Sequence, residues 1–390
     1  MSQSPTASVP QHNLPRVVGH LRGDLAGPTL LIIASLHGNE PAGLQAAQRV
    51  FARLAAHSVE VRGECLALAG NLRGLALGQR YIDTDLNRHW TVEVLGRAGE
   101  SLQHRQHEDA ELQSLRLQIH DCLERARGTV YAIDLHTTSN VGAPFVTAGD
   151  TLRNRRFAAH FHTPVVLGLE EELRGTLLEY LYEKGCVTMG FEAGQHVDPK
   201  AIDNHEALIW VALVTSGVLA AQDVADLSHF QDVLGSRCRA CPDFFEILYR
   251  HAITGADAFR MRPGFTNFQA VAAGEVLGED RRGLVRSPRG GLVLMPLYQG
   301  LGSDGFFVGR PVRAFWLRLS AWVRCLHLER FMLWLPGVGQ VSDEKNVLRV
   351  DTRVARFYPL QVFHLLGYRR RRLQGRYLYV SRRHHDREIA

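Results

Sequence analysis

The sequence predicts an α/β fold: a three-layer sandwich whose mostly parallel sheet carries helices on both faces. Apolar runs of strand length alternate with segments of helical periodicity through the first 225 residues, a pattern typical of successive strand–helix units. Several predicted strands end directly in polar side chains, and the carboxyl ends of parallel strands are where such folds bind ligands. Beyond residue 225 short strands punctuated by glycines replace the alternation, which predicts a small C-terminal all-β domain followed by a basic α+β tail.

The first strand and the first helix enclose a short polar loop. Residues 30–34 (LLIIA) form an apolar run typical of a buried strand, and Pro41 stands where a helix begins. Apolar positions recur at helical spacing through residues 41–56. The loop between these elements carries His37 and Glu40, three residues apart.

The next elements bring further polar residues to strand ends. Residues 65–69 form a second strand, followed by a polar loop at 72–90 whose length indicates a function. A helix at 108–126 leads to strand 129–135, which ends in His136. The remaining predicted elements of this region are strands 145–147, 165–167 and 187–191 and helices 151–161, 176–184 and 199–221.

We predict a catalytic domain over residues 14–225, a β-rich domain over 245–312 and a basic extension over 313–390. The first 13 residues are polar and are predicted to be disordered. Residues 313–335 are apolar nearly all round a helix, which favours a helix buried between domains over one lying on a membrane surface. Residues 368–383 predict a basic hairpin, better explained by a charged edge strand than by RNA binding.

Composition narrows the class of protein. Apolar residues make up 45% and charged residues 22% of the 390-residue chain, as in soluble globular proteins. We find no signal peptide and no membrane span, and six cysteines are too few for a disulfide scaffold, so we expect a cytoplasmic protein. The net charge of +5 is uneven, because residues 310–390 carry 17 Lys and Arg against 6 Asp and Glu. We expect no nucleic-acid partner, and a homo-oligomer stays possible.

His37, Glu40 and His136 form a candidate metal site. If the fold is correct, the loop after the first strand and the end of strand 129–135 meet at one rim of the sheet. Two histidines and a carboxylate leave one coordination position for water, as in catalytic zinc sites. Asp134 faces the same way along its strand as His136 and can accept the other ring N–H of a ligand histidine. The alternative is an ordinary solvated loop with a capping histidine.

Glu192 and the loop at 72–90 supply candidate catalytic and binding groups. Glu192 follows another apolar strand, within reach of a metal-bound water whose proton it could take as general base. Arg80 and Arg88 can bind a carboxylate or stabilise an oxyanion, while Asn87 can donate to an oxygen, and Asp85 lies among them. These groups predict a small, anionic substrate.

Four motifs in order, LHGNEPAG, RYIDTDLNR, IDLHTTSNVG and GFEAG, resemble the succinylglutamate desuccinylase/aspartoacylase family of zinc deacylases, relatives of the zinc carboxypeptidases. The segment LMPLYQGLGSDGFFVGRP is similar to the family's C-terminal β-domain. The resemblance implies a zinc-carboxypeptidase-like sandwich and one zinc held by His37, Glu40 and His136. It also implies Glu192 as general base, Arg80 as the carbonyl-polarising group, and Asn87 and Arg88 as carboxylate binders.

The predicted activity is therefore that of a zinc-dependent amidohydrolase acting on C–N bonds other than peptide bonds. Zinc-bound water would attack the acyl group of a small N-acyl amino acid or a related anionic acylated amine, with Glu192 as general base and acid. A carboxypeptidase-type peptidase and a non-catalytic binding protein on the same scaffold remain alternatives. The family's β-domain tyrosine and the arginine before the catalytic glutamate have no clear counterpart, Arg174 being only a loose candidate. The pair Cys238 and Cys241 is weak evidence for a second site.

Overall fold

The computed structural model describes residues 14–57, 59–96, 107–341, 344–355, 360–383 and 386, so the predicted disorder of residues 1–13 lies outside the described residues. The strands are β1 (Val17–Arg22), β2 (Leu25–Ala34), β3 (Arg62–Ala69), β4 (Val130–Thr138), β5 (Phe145–Ala148), β6 (Val165–Leu167), β7 (Val187–Gln195), β8 (Phe244–Ala252), β9 (Arg260–Met261), β10 (Ala270–Val271), β11 (Val276–Asp280), β12 (Gly283–Arg286), β13 (Gly291–Leu294), β14 (Asp304–Pro311), β15 (Val338–Val341), β16 (Glu344–Asp351), β17 (Tyr368–Gln374) and β18 (Tyr377–Arg382).

The helices complete the inventory of elements. The α-helices are α1 (Ala42–Ala56), α2 (Leu72–Leu77), α3 (Val92–Gly96), α4 (His107–Arg125), α5 (Leu152–Ala158), α6 (Leu169–Glu172), α7 (Leu177–Glu183), α8 (Lys200–Thr215), α9 (Leu227–Ser236), α10 (Ala314–Cys325), α11 (Thr352–Ala355) and α12 (Leu360–Leu365). Single-turn or slightly longer 3-10 helices lie at Leu86–Arg88, Ala159–Phe161, Ala221–Asp223, Gly255–Asp257 and Leu328–Trp334.

One large mixed sheet organises the molecule. Its strand order is β1-β3-β2-β4-β7-β5-β6-β8-β14-β13-β10. Strands β3, β2, β4 and β7 are parallel neighbours, and so are β5, β6 and β8. Strand β1 is antiparallel to β3, and β5 to β7. The predicted α/β fold with a mostly parallel catalytic sheet is confirmed, whereas the specific likeness to carboxypeptidases stays a prediction.

Helices cover both faces of this sheet because its strands are apolar on both sides. Along β2, Leu30 and Ile32 pack into the core that contains residues of α1 and α8. The alternate residues Leu31 and Ile33 pack into the core that contains residues of α4 and α7. Every one of these four side chains is fully buried, as expected for a central parallel strand.

The β-rich segment after α9 continues the large sheet. Strand β8 pairs with β6 in parallel, and β14, β13 and β10 extend the sheet antiparallel from it. A second sheet of order β12-β11-β9 packs nearby through a shared apolar cluster. This confirms C-terminal all-β structure, and the connection β13–β14 returns the chain to the rim of the catalytic sheet.

The tail forms its own four-stranded sheet of order β15-β16-β18-β17. Strands β17 and β18 are the predicted basic hairpin, with β17 at the edge of the sheet. The segments α10 and α12 join this sheet to the catalytic domain through buried charges that include Arg324 and Asp150.

The prediction of a buried helix over residues 313–335 was wrong. Helix α10 ends at Cys325, and it exposes Phe315, Trp316 and Trp322, while Ser320 and Arg324 are buried. The apolar periodicity could not reveal this orientation, because the polar side of the helix pairs with buried charges of the catalytic domain. Within the described residues we find no helix with both the length and the apolar character needed to cross a membrane.

Candidate active site

Three strand ends bring the predicted site residues together. His37 and Glu40 lie on the loop after β2, His136 lies near the end of β4, and Glu192 lies in β7 directly opposite His136. All four side chains are nearly buried and border one cavity of about 120 Å³. Their meeting follows from the parallel register of adjacent strands, whose carboxyl ends share one rim.

In both His37 and His136, the ring nitrogen Nδ1 faces the carboxylate of Glu40. His37 Nδ1 lies 2.9 Å from Glu40 Oε1, and His136 Nδ1 lies 3.0 Å from Glu40 Oε2. The three residues offer ligand atoms that all lie within 4.8 Å of one another. Two imidazoles and a carboxylate at this separation form a donor set suited to a zinc ion.

The outer nitrogen of each ring meets another carboxylate. His37 Nε2 lies 3.1 Å from Asp85 Oδ1, and His136 Nε2 lies 2.7 Å from Asp134 Oδ2. A carboxylate only accepts, so Asp134 holds the N–H on His136 Nε2 and leaves His136 Nδ1 free to bind a metal. His37 Nε2 also lies 2.9 Å from Arg80 Nη2, so Asp85 alone does not fix the tautomer of that ring. The residues present therefore fit the zinc that the motifs imply.

Glu40 is ionised and held in place. Burial opposes its ionisation, but His37 and His136 outweigh that effect and hold its pKa well below the usual range. The backbone N–H of Thr137 donates to Glu40 Oε2 over 3.0 Å, and the Ser35 hydroxyl donates to the Glu40 carbonyl over 2.9 Å. These bonds preorganise the carboxylate.

Arg80 lies against the same group. Its Nη1 donates to Glu40 Oε1 over 3.3 Å, and its Nη2 donates to Asp85 Oδ2 over 3.2 Å. The side chain is mostly buried and borders the cavity. Two fixed carboxylates thus orient the guanidinium beside the histidines, where it can contribute positive charge to a bound ligand.

Glu192 and Glu40 are both buried, but their pKa values are shifted in opposite directions. Within the described part of the chain its Oε2 has no hydrogen-bond partner. Burial, together with the negative charge of Glu40, raises the pKa of Glu192 to about 8. A carboxyl that borders the cavity and has a pKa near neutrality can exchange a proton with a ligand there.

Asn87 and Arg88 border the cavity from the loop that follows α2. Asp85 caps this turn by accepting from Asn87 N over 2.9 Å, and it stands behind His37. Asn87 Oδ1 accepts from the backbone N–H of Leu177 over 2.9 Å. Arg88 Nη2 donates to Asp304 Oδ2 over 3.2 Å, so its guanidinium is partly neutralised by the β-rich region.

Sequence reasoning missed the contribution of the segment at 295–304. Gln299, Ser303 and Asp304 border the cavity, and Gln299 Oε1 lies 3.1 Å from His196 Nε2. Arg250 in β8 contacts Asp304 as well. Of the signals in the sequence, only the LMPLYQGLGSDG motif marks this segment, since it has neither strand nor helix periodicity.

Two weaker candidates stay outside the site. Arg174 is exposed and does not border the cavity. Cys238 is buried with its thiol 3.5 Å from the Pro144 carbonyl oxygen, and among the described residues neither Cys238 nor Cys241 belongs to a group able to hold a metal.

Comparison with known proteins identifies this region. Residues 26–213 match the family model described as the succinylglutamate desuccinylase/aspartoacylase catalytic domain. Succinylglutamate desuccinylase of Pseudomonas aeruginosa is 36% identical over 62 residues, and that of Pseudomonas fluorescens is 34% identical over 62 residues. Each match covers 16% of this chain and only 19% of the relative.

Solved structures show the same fold at low identity. A succinylglutamate desuccinylase from Vibrio parahaemolyticus superposes with a TM-score of 0.54 and 15% identity, covering 74% of this chain and 82% of that one. The product-bound ectoine utilization protein EutE (DoeB) from Ruegeria pomeroyi gives 0.53 and 20%, covering 75% and 87%. The family model thus identifies residues 26–213 as a succinylglutamate desuccinylase/aspartoacylase catalytic domain, and the solved structures show that the chain shares its fold with such proteins.

Proposed function

We propose that this protein is a zinc-dependent deacylase that hydrolyses the amide bond of a small N-acyl amino acid or a related anionic acylated amine. The observation that carries the proposal is the convergence of His37 Nδ1 and His136 Nδ1 on the Glu40 carboxylate, with a second carboxylate on each outer ring nitrogen. The names of the curated relatives in Pseudomonas, succinylglutamate desuccinylase, support this class of substrate.

His37, Glu40 and His136 would hold the zinc, and Asp85 and Asp134 would orient the two rings. When bound there, the metal supplies Lewis acidity that lowers the pKa of water and polarises a carbonyl. The buried, ionised Glu40 contributes the negative charge that makes this position favourable for a cation.

Glu192 takes and returns the proton. It borders the cavity and faces His136 across the sheet register, and burial raises its pKa to about 8. A base whose pKa is close to the working pH removes a proton from water and can later deliver one to the leaving amine.

Arg80 stabilises negative charge on the acyl oxygen. Its guanidinium is oriented by Glu40 and Asp85 before any substrate binds, so little reorganisation accompanies the reaction. Arg88 and Asn87 lie on the same wall and would bind the substrate carboxylate. Because Asp304 already pairs with Arg88, an incoming carboxylate has to compete for that guanidinium, which favours substrates that fit the rest of the cavity.

The size of the cavity favours a deacylase over a carboxypeptidase-type peptidase. Its volume is about 120 Å³, and the segment at 295–304 forms part of its wall. A peptidase of extended chains needs a larger open cleft. A purely binding protein would have no use for the buried Glu192 beside a complete set of metal ligands.

The test is hydrolysis of a panel of N-acetyl and N-succinyl amino acids by the zinc-loaded protein, with unblocked dipeptides as the competing class. We expect release of free amino acid from one or more N-acyl compounds and none from the dipeptides. Glu279→Gln, which alters an exposed glutamate of β11, should behave as wild type. Turnover of the dipeptides alone would overturn the assignment in favour of a peptidase, and absence of turnover across the whole panel would overturn it as well.

A further inference from the structure

Helix α10 is amphipathic, but its polar side packs against the protein and its apolar side is exposed. Its Arg324 is fully buried and donates to the Asp150 carbonyl over 3.0 Å and to Asp386 Oδ1 over 3.1 Å. On the other side Phe315 is 64% and Trp322 59% exposed. Residues seven apart share one side of a helix, so an apolar stripe faces outward while the polar side packs inward.

The stripe continues into the segment that follows. In the 3-10 helix Leu328–Trp334, Phe331 and Leu333 are each 42% exposed and Trp334 is 79% exposed. Of the five tryptophans in the chain, two are buried in the catalytic domain and three are exposed between residues 316 and 334. So many large exposed side chains in one short segment mark an interaction surface, since soluble surfaces scatter such residues singly.

The borders of this surface are basic. Arg313, Arg318 and Arg330 are exposed within the same segment. Arg318 also borders a cavity of about 670 Å³ between α5 and α10, whose walls include the exposed Arg156. No carboxylate is among the described residues that line this cavity. The partner therefore combines an apolar region with negative charge.

We propose that residues 313–334 bind the surface of an anionic phospholipid bilayer. Tryptophan and phenylalanine side chains are favoured at the boundary between headgroups and acyl chains, and arginines beside them contact the lipid phosphates. A second copy of the chain fits the surface less well, because a two-fold interface would bring the same three arginines of both copies together. The tail thereby anchors the enzyme in the plane of a membrane without crossing it.

The experiment is flotation of the zinc-loaded, full-length protein with two kinds of vesicle. One is pure phosphatidylcholine, and the other is seven parts phosphatidylcholine to three parts phosphatidylglycerol. We expect strong binding to the anionic vesicles, weak binding to the neutral ones, and a blue shift of tryptophan emission on binding. Trp322→Ser should weaken partitioning about tenfold, and Arg318→Gln about fivefold.

A matched control is Leu117→Ser on α4, because Leu117 is 58% exposed and lies in the catalytic domain. We expect it to bind vesicles as wild type does, and all three variants to melt at the wild-type temperature. Absence of wild-type binding to the anionic vesicles, or an equal loss in Leu117→Ser, would overturn the proposal. A dimer that Trp322→Ser converts to monomer, without any vesicle binding, would overturn it in favour of a self-association surface. Arg318→Gln and the salt dependence of binding keep the test decisive even if Trp322→Ser fails to fold.

Discussion

Two clusters of buried charge in this molecule differ in how their charges are balanced. The rim cluster consists of His37, Glu40, Arg80, Asp85, Asp134, His136 and Glu192. The tail cluster consists of Asp150, Arg155, Glu246, Arg324, Arg369 and Asp386. In the tail cluster three guanidiniums face three carboxylates, and Arg324 alone contacts both Asp150 and Asp386. In the rim cluster three carboxylates, those of Glu40, Asp85 and Asp134, contact two imidazoles and a single guanidinium, and Glu192 lies opposite His136.

Under the proposed function, the difference separates a structural cluster from a catalytic one. Charges that pair one to one inside a protein are complete without a ligand, and they act by fixing the geometry of the elements they join. In the rim cluster two imidazole nitrogens face the Glu40 carboxylate, a donor set that the proposed zinc would complete. Burial of charge by itself therefore does not favour a metal site, whereas two imidazole nitrogens facing the same carboxylate do.

The largest predicted effect is a loss of turnover when a residue of the rim cluster is replaced. We expect Glu192→Gln to retain zinc and the fold while lowering turnover by about 10²–10⁴, the usual contribution of a general base. Stability should not fall, because the substitution removes a buried carboxyl whose Oε2 has no partner among the described residues. Steady-state kinetics and metal analysis of the same preparation check this. Turnover within a few-fold of wild type would show that another group handles the proton.

Removing a charge from the tail cluster should lower the free energy of unfolding and leave the catalytic activity unchanged. Arg324→Met leaves Asp150 and Asp386 buried without this partner, and such losses cost about 3–5 kcal/mol. Arg318→Met, on the exposed side of the same helix, should stay within about 0.5 kcal/mol of wild type. Urea unfolding measures both variants. Equal stability of the two would contradict the structural role of the tail cluster.

Lowering the pH should reduce the stability that the tail cluster contributes, over a defined pH range. Burial opposes ionisation of Glu246, but hydrogen bonds from His364 and Arg369 hold its pKa at about 2. A folded pKa below the unfolded value of about 4.3 contributes stability that is present above pH 4.3 and is lost as the pH falls toward 2. The contribution is roughly 3 kcal/mol. The difference in unfolding free energy between wild type and Glu246→Gln should therefore shrink between pH 5 and pH 2.5, and a constant difference would contradict it.

The smallest predicted effect concerns substrate recognition. Arg88→Lys keeps the charge but loses the planar pair of donors that a carboxylate binds. We expect kcat/KM to fall at least about tenfold for substrates with a free carboxylate and far less for the matching amides. Comparing each acid with its amide provides the internal control. Equal losses on both would mean that Arg88 does not bind the carboxylate, and unchanged kinetics on both would place it outside the site.

Much of the catalytic domain could be predicted because its signals are local. Strands such as β2 and β4 are apolar runs, and His37, Glu40 and His136 follow them within a few residues. The parallel arrangement then places these residues at one rim without any knowledge of the loops. The roles of the site residues stay predictions that the variants above address.

The remainder depends on contacts that leave no periodic signal. Asp304 reaches Arg88 from 216 positions away in the chain, and the segment around it has no regular structure to predict. Arg324 looks like a surface arginine in the sequence, and only the distant Asp150 and Asp386 make its burial favourable. The orientation of α10 followed from those charges and not from its apolar pattern.

Zinc stoichiometry in a matched pair of histidine variants tests the central claim most directly. His136 belongs to the rim cluster. His364 lies next to the tail cluster, where its Nδ1 is 3.0 Å from Oε1 of Glu246. After zinc loading and dialysis, we expect one zinc per chain in wild type and in His364→Ala, and a large loss of zinc in His136→Ala. Full stoichiometry in His136→Ala, or no retained zinc in wild type, would contradict the metal site and the deacylase mechanism that depends on it.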